Sequence, residues 1–545
     1  MDANETLLMG HIDDWIMAHA DELVEDVKKL VRIRSVNDVD SDVKPYGQAC
    51  RDVLDLGAAI YAGYGFDVKN HGYRCCTATL HGETEDRIGI FNHLDVVPEG
   101  NDWSFPPYEP FVKDGYIAGR GSSDNKGPAV AALYAVRCLH SLGVKLKHSV
   151  MMYLGAAEEV GMDDIKYYLN SNPAPKFSIT PDAMFSVCHG EKGILRAQFT
   201  RDIAGGNLIS FEGGQITNSV ADRAKAVITG FSQAEVQKAL AGYERITVQE
   251  NCIGEVGDSS NNGRNADTGA AGGSIADTGA AGGSIADAGA AGGSSNSSTV
   301  GGSIADPGAA DDSSNSGEVG GSIADAGAAG VVITAVGVAR HAAFPDGSVN
   351  AIQLLAQALS EQGLLTGPAQ EAMQFIGMAL ADNWGAGLDI AFEDDVSGAT
   401  SCIGGLAWMD GTVFHQDINV RYAIKTDITE LKRKLTAKIN ENGFSLTLFD
   451  NSSPCYTPID NPIIQMLDKT VAEFYGDSYK PYIMGGGTYA RMIPNTVGYG
   501  PEDVDSDGSS QFKGGHQPDE GMSIEVLLTA AKIYSLAIMR LDKML

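Results

Sequence analysis

Five short stretches of this chain hold side chains whose types and spacing could do chemistry. In "IFNHLDVVPEG", His93 and Asp95 end an apolar run; two positions apart, they point to the same side of a strand. "GRGSSDNKGP" sets Asp124 in a glycine-rich turn directly before a helical segment, and "GAAEEVG" puts Glu158 and Glu159 side by side where another apolar run ends. "SITPDAMF" places Asp182 after a short strand and a proline, and "FKGGHQPDEG" isolates His516 between glycine and proline just before the last helix. Taken singly, each has an ordinary reading: a hydrogen-bonded strand-end histidine, a helix N-cap, an acidic turn, a loop histidine. Together they supply two histidines and several carboxylates, the donor inventory of a two-metal centre. Nitrogen and oxygen donors without cysteine suit catalytic Zn²⁺, Mn²⁺ or Co²⁺ better than a structural zinc.

These residues need a scaffold that brings distant stretches together. Periodicity predicts an amphipathic helix near Asp13 to Val31 and another near Ala49 to Gly63, then strands at "ATLHG", "IGIFNHLDVV" and "SVMMYLGAA". The helix "KGPAVAALYAVRCLHSLG" lies between the last two, an order that implies an α/β layer around a mixed, largely parallel sheet. Such sheets place ligands beyond the carboxyl ends of their strands, where the candidate residues fall. After Asp182 the character changes. "ILRAQFTRD", "GVVITAVGVA" and "DINVRYAI" read as strands flanking the helix "VNAIQLLAQALSEQ", which predicts a second, α+β domain. The tail "IEVLLTAAKIYSLAIMRLDKML" is a long amphipathic helix suited to packing back on the first sheet.

The totals bound the alternatives. A chain of 545 residues predicts two or more domains, each with its own core. The formal charge of -32 repels phosphate backbones and anionic lipid heads, which argues against nucleic-acid and membrane partners. Eight cysteines without a C-x-x-C pair read as reduced thiols and predict a cytoplasmic protein. The acidic N-terminus has no signal-peptide pattern, and no run reaches about 18 apolar residues. The glycine excess, 66 in all, is concentrated between Gly257 and Gly330, where "GGSIAD" recurs at Gly272, Gly282, Gly301 and Gly320. With no aromatic residue to anchor a core, that segment is expected to be a disordered insertion in a surface loop. Calcium-binding β-rolls need a second glycine where isoleucine stands here, and a nine-residue period the copies lack.

The ordered set "HLDVVPEG", "DGYIAGRGSSDNKGP", "EEVG", "PDAMF", "HGEKG" and "GGHQPDEG" resembles the aminoacylase/carnosinase superfamily of two-metal peptidases, within it the dipeptidase V-like enzymes. The resemblance covers nearly the whole chain except the insert. It implies a zinc-peptidase-like catalytic domain formed by 1–190 and 461–545, with a lid domain over 191–460 that contains the 257–330 insert. It makes His93 and Asp182 ligands of one metal, Glu159 and His516 ligands of the other, and Asp124 the bridge, with a cis peptide after Asp124. Glu158 is then the general base, and Asp95 the carboxylate that fixes the His93 imidazole. In the lid, "TNSVADRA" supplies Asn218, "GVARHAAFPDGSVNAI" the oxyanion-stabilising His341, and "INVRYAI" Arg421 as reader of a substrate carboxylate. "GGGTYAR" resembles the glycine loop that completes the carboxylate pocket, with Gly486, Thr488 and Arg491 as contacts.

The implied activity is metal-dependent hydrolysis of unblocked dipeptides by a monomer whose one chain contains both halves of the site. Two alternatives stay open at this stage: an N-acyl-amino-acid deacylase with the same metals and base, and a noncatalytic binding protein on the same fold.

Overall fold

The strand His148–Gly155 is buried at every position, as are Ile88–His93 and Phe177–Thr180 beside it, so this part of the sheet is covered on both faces. The computed structural model describes residues 3–250, 330–502 and 510–545. Within them a nine-stranded mixed sheet forms the first layer. Its centre is parallel: His148–Gly155, Thr84–His93, Phe177–Thr180 and Thr496–Gly498 run side by side in one direction. Cys75–Leu80 pairs antiparallel on one flank and Cys188–Glu191 on the other. The helices Lys126–Ser141 and Ile524–Met544 pack together, and their apolar faces join the sheet in one core. The tail helix therefore returns to the first sheet, as its amphipathic pattern predicts.

The second layer is an eight-stranded antiparallel sheet with Val413–Tyr422 between Ser401–Asp410 and Gly193–Asp202. The helices Ala351–Glu361 and Pro368–Ala379 close a separate core on it. The fold is thus an α/β catalytic domain carrying an inserted α+β lid. No helix among the described residues is long and apolar enough to cross a membrane.

Some local expectations are corrected. The single N-terminal helix near Asp13 to Val31 is two helices, Ala3–Ala18 and Ala20–Val31, parted at His19. The His19 ring stacks on Trp15, and its Nδ1 lies 2.7 Å from the Trp15 carbonyl oxygen, so a side chain occupies an acceptor that the helix ladder would use. The "IGIFNHLDVV" strand stops at His93. The insert, Gly330 excepted, lies outside the described residues. Its flanks do not: Ile246–Glu250 pairs antiparallel with Val331–Val336, with Glu250 opposite Val331, so the chain leaves and re-enters at one hairpin end.

Three consecutive parallel strands deliver the site. Their carboxyl ends lie at one edge of the sheet and lead into His93, into the Glu158 turn and into Asp182. A small sheet adds the rest. Gly521–Ser523 pairs with Tyr116–Ala118, which brings the His516 loop beside the Asp124 loop. Between them, the fully buried Glu520 accepts the backbone N–H of Gly121, Ser123 and Asp124 at 3.0, 2.9 and 3.2 Å and pairs with buried Arg120 at 2.6 Å.

Two outcomes follow. Glu520→Ala leaves Arg120 buried and unpaired and should cost about 3–5 kcal/mol, measured by urea unfolding. Replacing residues 252–329 by a short Asn-Gly turn should leave the urea midpoint of the remaining protein essentially unchanged, because the strand ends already adjoin.

Candidate active site

At the edge where the parallel strands end, His93 is almost fully buried and points its Nε2 at Asp124 Oδ1, 3.0 Å away, with Asp182 Oδ2 at 3.8 Å. On the other side of Asp124, His516 Nε2 lies 3.1 Å from Asp124 Oδ2 and 3.0 Å from Glu159 Oε2. The two oxygens of one carboxylate thus face two different histidines, each of which has a second carboxylate beside it. Donors of one ion at ligand distances of about 2.0–2.2 Å are separated by roughly 3–3.5 Å, so these spacings fit two divalent ions that share Asp124. Donor atoms of His93, Asp124 and Glu159 lie within 4.8 Å of one another, as do those of His93, Glu158 and Asp182. Gly515 makes the approach possible, because a Cβ there would stand 2.6 Å from the Asp124 Cβ. The Asp124–Asn125 peptide is cis, the geometry the family resemblance implies.

Glu158 and Glu159 lie on a short 3₁₀ turn, Glu158–Val160, just beyond the strand. Glu159 turns to His516, whereas Glu158 Oε1 is buried and has no hydrogen-bond partner among the described residues. Burial pushes the Glu158 carboxyl well above its ordinary range, and the Asp182, Glu159 and Asp124 carboxylates push it further while His93 opposes them. Burial likewise raises Asp182, with Asp124 next to it. Glu159, chiefly, pushes the pKa of His516 up to about 12. Buried carboxylates raised by one another, one of them orphaned, are what a site built for cations shows when only its protein groups are present.

Asp95 lies beside His93, as expected, and has a further part as well. The His93 Nδ1 lies 3.0 Å from the Asp95 backbone carbonyl and 3.4 Å from its carboxylate. The carboxylate accepts the backbone N–H of Glu158 at 3.3 Å and of Glu159 at 3.1 Å. The strand ends at His93, so strict alternation of side chains does not extend to Asp95.

The lid reaches the same cleft. Arg421, near the end of the Val413–Tyr422 strand, donates from Nη1 to the Gly485 carbonyl at 3.0 Å and from Nε to Asn419 Oδ1 at 2.9 Å. Its Nη2 makes no hydrogen bond to the described residues that would consume it, and burial lowers its pKa to about 10. His341 sits opposite Ser219 in an isolated bridge, next to Asn218, whose carbonyl accepts the Ala342 N–H. The Ala343 N–H donates to His341 Nδ1 at 3.2 Å, which assigns the ring proton to Nε2. Desolvation, with the charges of Arg421 and His516, lowers the His341 pKa to about 4.

Thr488 and Arg491, expected as substrate contacts, also bond to the protein itself. Thr488 donates its N–H and hydroxyl to Glu191 Oε1 at 3.1 and 2.7 Å. Arg491 donates to Glu191 Oε2, Ser452 Oγ and the carbonyls of Lys192 and Gly486. These residues hold the shape of the glycine loop, and Glu191, within "HGEKG" but not marked out by its residue type or spacing, is their common anchor. Its burial was the missing signal, and only the fold supplies it.

Known proteins match this chain over nearly its whole length. A Staphylococcus haemolyticus protein provisionally named a dipeptidase is 28% identical over 535 residues, covering 96% of this chain and 97% of its own. A Bacillus subtilis protein with the same provisional name is 26% identical, covering 97% of this chain and 99% of its own. Among solved structures, a Saccharomyces cerevisiae dipeptidase matches with a TM-score of 0.54 at 10% identity, covering 98% of each chain. Human carnosine dipeptidase 1 matches with a TM-score of 0.51 at 14% identity, covering 98% of this chain and 99% of its own. The family model for peptidase family M20/M25/M40 matches residues 89–540, which take in every candidate ligand from His93 to His516, and the chain belongs to that family.

Proposed function

We propose that this metallopeptidase hydrolyses unblocked dipeptides at two divalent ions, with Glu158 as general base. The observation that carries the reading is Asp124, whose two oxygens each face a separate histidine and carboxylate pair. The provisional dipeptidase names of relatives that match over nearly their whole length support the substrate class. His93 and Asp182 would hold one ion, His516 and Glu159 the other, and Asp124 both. An all-nitrogen and oxygen donor set favours Zn²⁺ or Mn²⁺, with Co²⁺ able to substitute.

When bound, the ions supply Lewis-acid polarisation of the peptide carbonyl and activation of the attacking water. Glu158 takes a proton from that water and delivers it to the leaving amine, a role that suits a buried carboxylate whose Oε1 has no hydrogen-bond partner among the described residues. His341 offers Nε2–H to the developing oxyanion, and its lowered pKa keeps it a neutral imidazole at neutral pH. Arg421 presents Nη2 to the C-terminal carboxylate, while Gly485 and Gly486 line the same pocket as backbone and Asn218 flanks His341. Thr488 and Arg491 act through the loop they hold. Because His341 and Arg421 come from the same chain as the metal ligands, a monomer would be complete. The seven described cysteines are all free, in keeping with a reducing, cytoplasmic setting.

The decisive experiment strips the metal from the purified protein and restores Mn²⁺ or Zn²⁺ before assaying free dipeptides and matched N-acetyl amino acids. Metal-dependent cleavage confined to free dipeptides is expected; turnover of the N-acetyl compounds alone would make the protein a deacylase. Glu158→Gln should bind metal normally and lose about 10²–10⁴-fold in kcat, whereas His341→Ala should lose about 10²–10³-fold. Near-normal kcat in either variant would remove that residue from its role.

A further inference from the structure

We propose that Asp164 and Tyr489 form one buried positioning unit that ties the glycine loop Gly485–Arg491 to the turn carrying Glu158 and Glu159. The inference rests on the reading of Glu158 as base and of the loop as part of the carboxylate pocket. Neither residue touches substrate or metal in this arrangement; both act through backbone and through neighbouring side chains.

Where the strand His148–Gly155 ends, the chain loses its ladder partners but remains buried, so its amides need other acceptors. Four successive N–H groups find them on two carboxylates. Ala156 and Ala157 donate to Asp164 Oδ2 at 2.9 and 3.1 Å, and Glu158 and Glu159 donate to Asp95. Asp164 is itself fully buried, and its Oδ1 accepts the Ile165 N–H at 2.7 Å. The third donor to Asp164 Oδ2 comes from far along the chain: the Tyr489 hydroxyl, at 2.5 Å.

Tyr489 connects three parts of the site. It follows Thr488, whose hydroxyl is anchored on Glu191, so the phenol has a fixed origin in the glycine loop. Its ring meets the His93 imidazole edge-on at a centroid distance of 6.5 Å and packs against Tyr153 at 5.5 Å. Its hydroxyl passes over the Gly155 backbone, where a Cβ would lie 1.9 Å from it and 2.4 Å from Asp164 Oδ2. Packing alone would be served equally by phenylalanine. What tyrosine adds is the single hydrogen bond to the carboxylate that holds the amides immediately before Glu158. A loop that reads the substrate carboxylate and a turn that carries the base are thereby set relative to each other through one oxygen atom. Small displacements of a base cost turnover more than ground-state binding.

The test uses the full chain loaded with Mn²⁺ or Zn²⁺ and compares Tyr489→Phe, Asp164→Asn and the double variant for metal stoichiometry, kcat and KM on one free dipeptide. Tyr489→Phe should keep full metal occupancy and a KM within about threefold of wild type while kcat falls about tenfold. The double variant should be no worse than the more damaged single variant, because both substitutions break one unit. The proposal is overturned if Tyr489→Phe keeps kcat within about twofold of wild type, if it raises KM alone, if it loses metal, or if the two single losses multiply in the double. Should Asp164→Asn fail to fold, Tyr489→Phe decides alone. Absence of dipeptide turnover in the wild type would overturn the functional reading instead, which keeps the two failures distinct.

Discussion

Backbone amides held by buried carboxylates fix the loops that present the site. Loops that end parallel strands have no ladder partner, and in a buried setting each unpaired N–H is costly. A carboxylate can accept several hydrogen bonds at once, so one side chain can set the path of a whole turn. Glu520 holds the amides of Gly121, Ser123 and Asp124; Asp95 holds those of Glu158 and Glu159; Asp164 holds those of Ala156 and Ala157. Burial of the anchors has its own cost, visible in the carboxyls of Glu520 and Asp164, both pushed up to about 7. That cost is accepted where a loop must stay in place to within fractions of an ångström.

The charges at the centre obey a related constraint. Asp124, Asp182, Glu158 and Glu159 face one small space with two histidines, and protein groups alone leave that space over-supplied with negative charge. Cations there relieve the repulsion, and the adjacent pair Glu158 and Glu159 can then take different parts. Their side chains diverge from a single 3₁₀ turn, one toward His516 and the other with its Oε1 unpartnered among the described residues. That divergence would let one residue of the proposed pair hold metal while its neighbour stays free.

The lid brings a different kind of order. Arg421 sits in a strand at the heart of the second sheet and reaches across to the Gly485 carbonyl of the first domain, so a cross-domain hydrogen bond and the proposed carboxylate reader belong to the same guanidinium. The glycine loop is held in turn by Arg491 and Thr488 on Glu191, within reach of the same bond. Two arginines of equal charge thereby differ in their bonds to the described residues: Arg491 bonds through all three nitrogens, Arg421 through two.

Much of this was legible from the sequence. Apolar runs ending in His93, Glu158 and Asp182, with a glycine-rich turn before Asp124, were enough to indicate strands of one sheet delivering metal-site side chains to its carboxyl edge. They were legible because periodicity and turn chemistry are local properties. The fold decided the rest. His19 splits a periodic helix through a side-chain hydrogen bond that no hydrophobic pattern reports. Asp95 serves two backbone amides as well as its histidine, and Thr488 and Arg491 are bonded to Glu191. In each case the deciding fact is which donor meets which acceptor, for Asp95, Thr488 and Arg491 across tens or hundreds of residues. Residue type and spacing alone determined what chemistry this chain could carry out, whereas the tertiary structure decided which side chains are spent on holding the site and which are left free to act, because hydrogen-bond satisfaction in a buried interior is a property of neighbours in space.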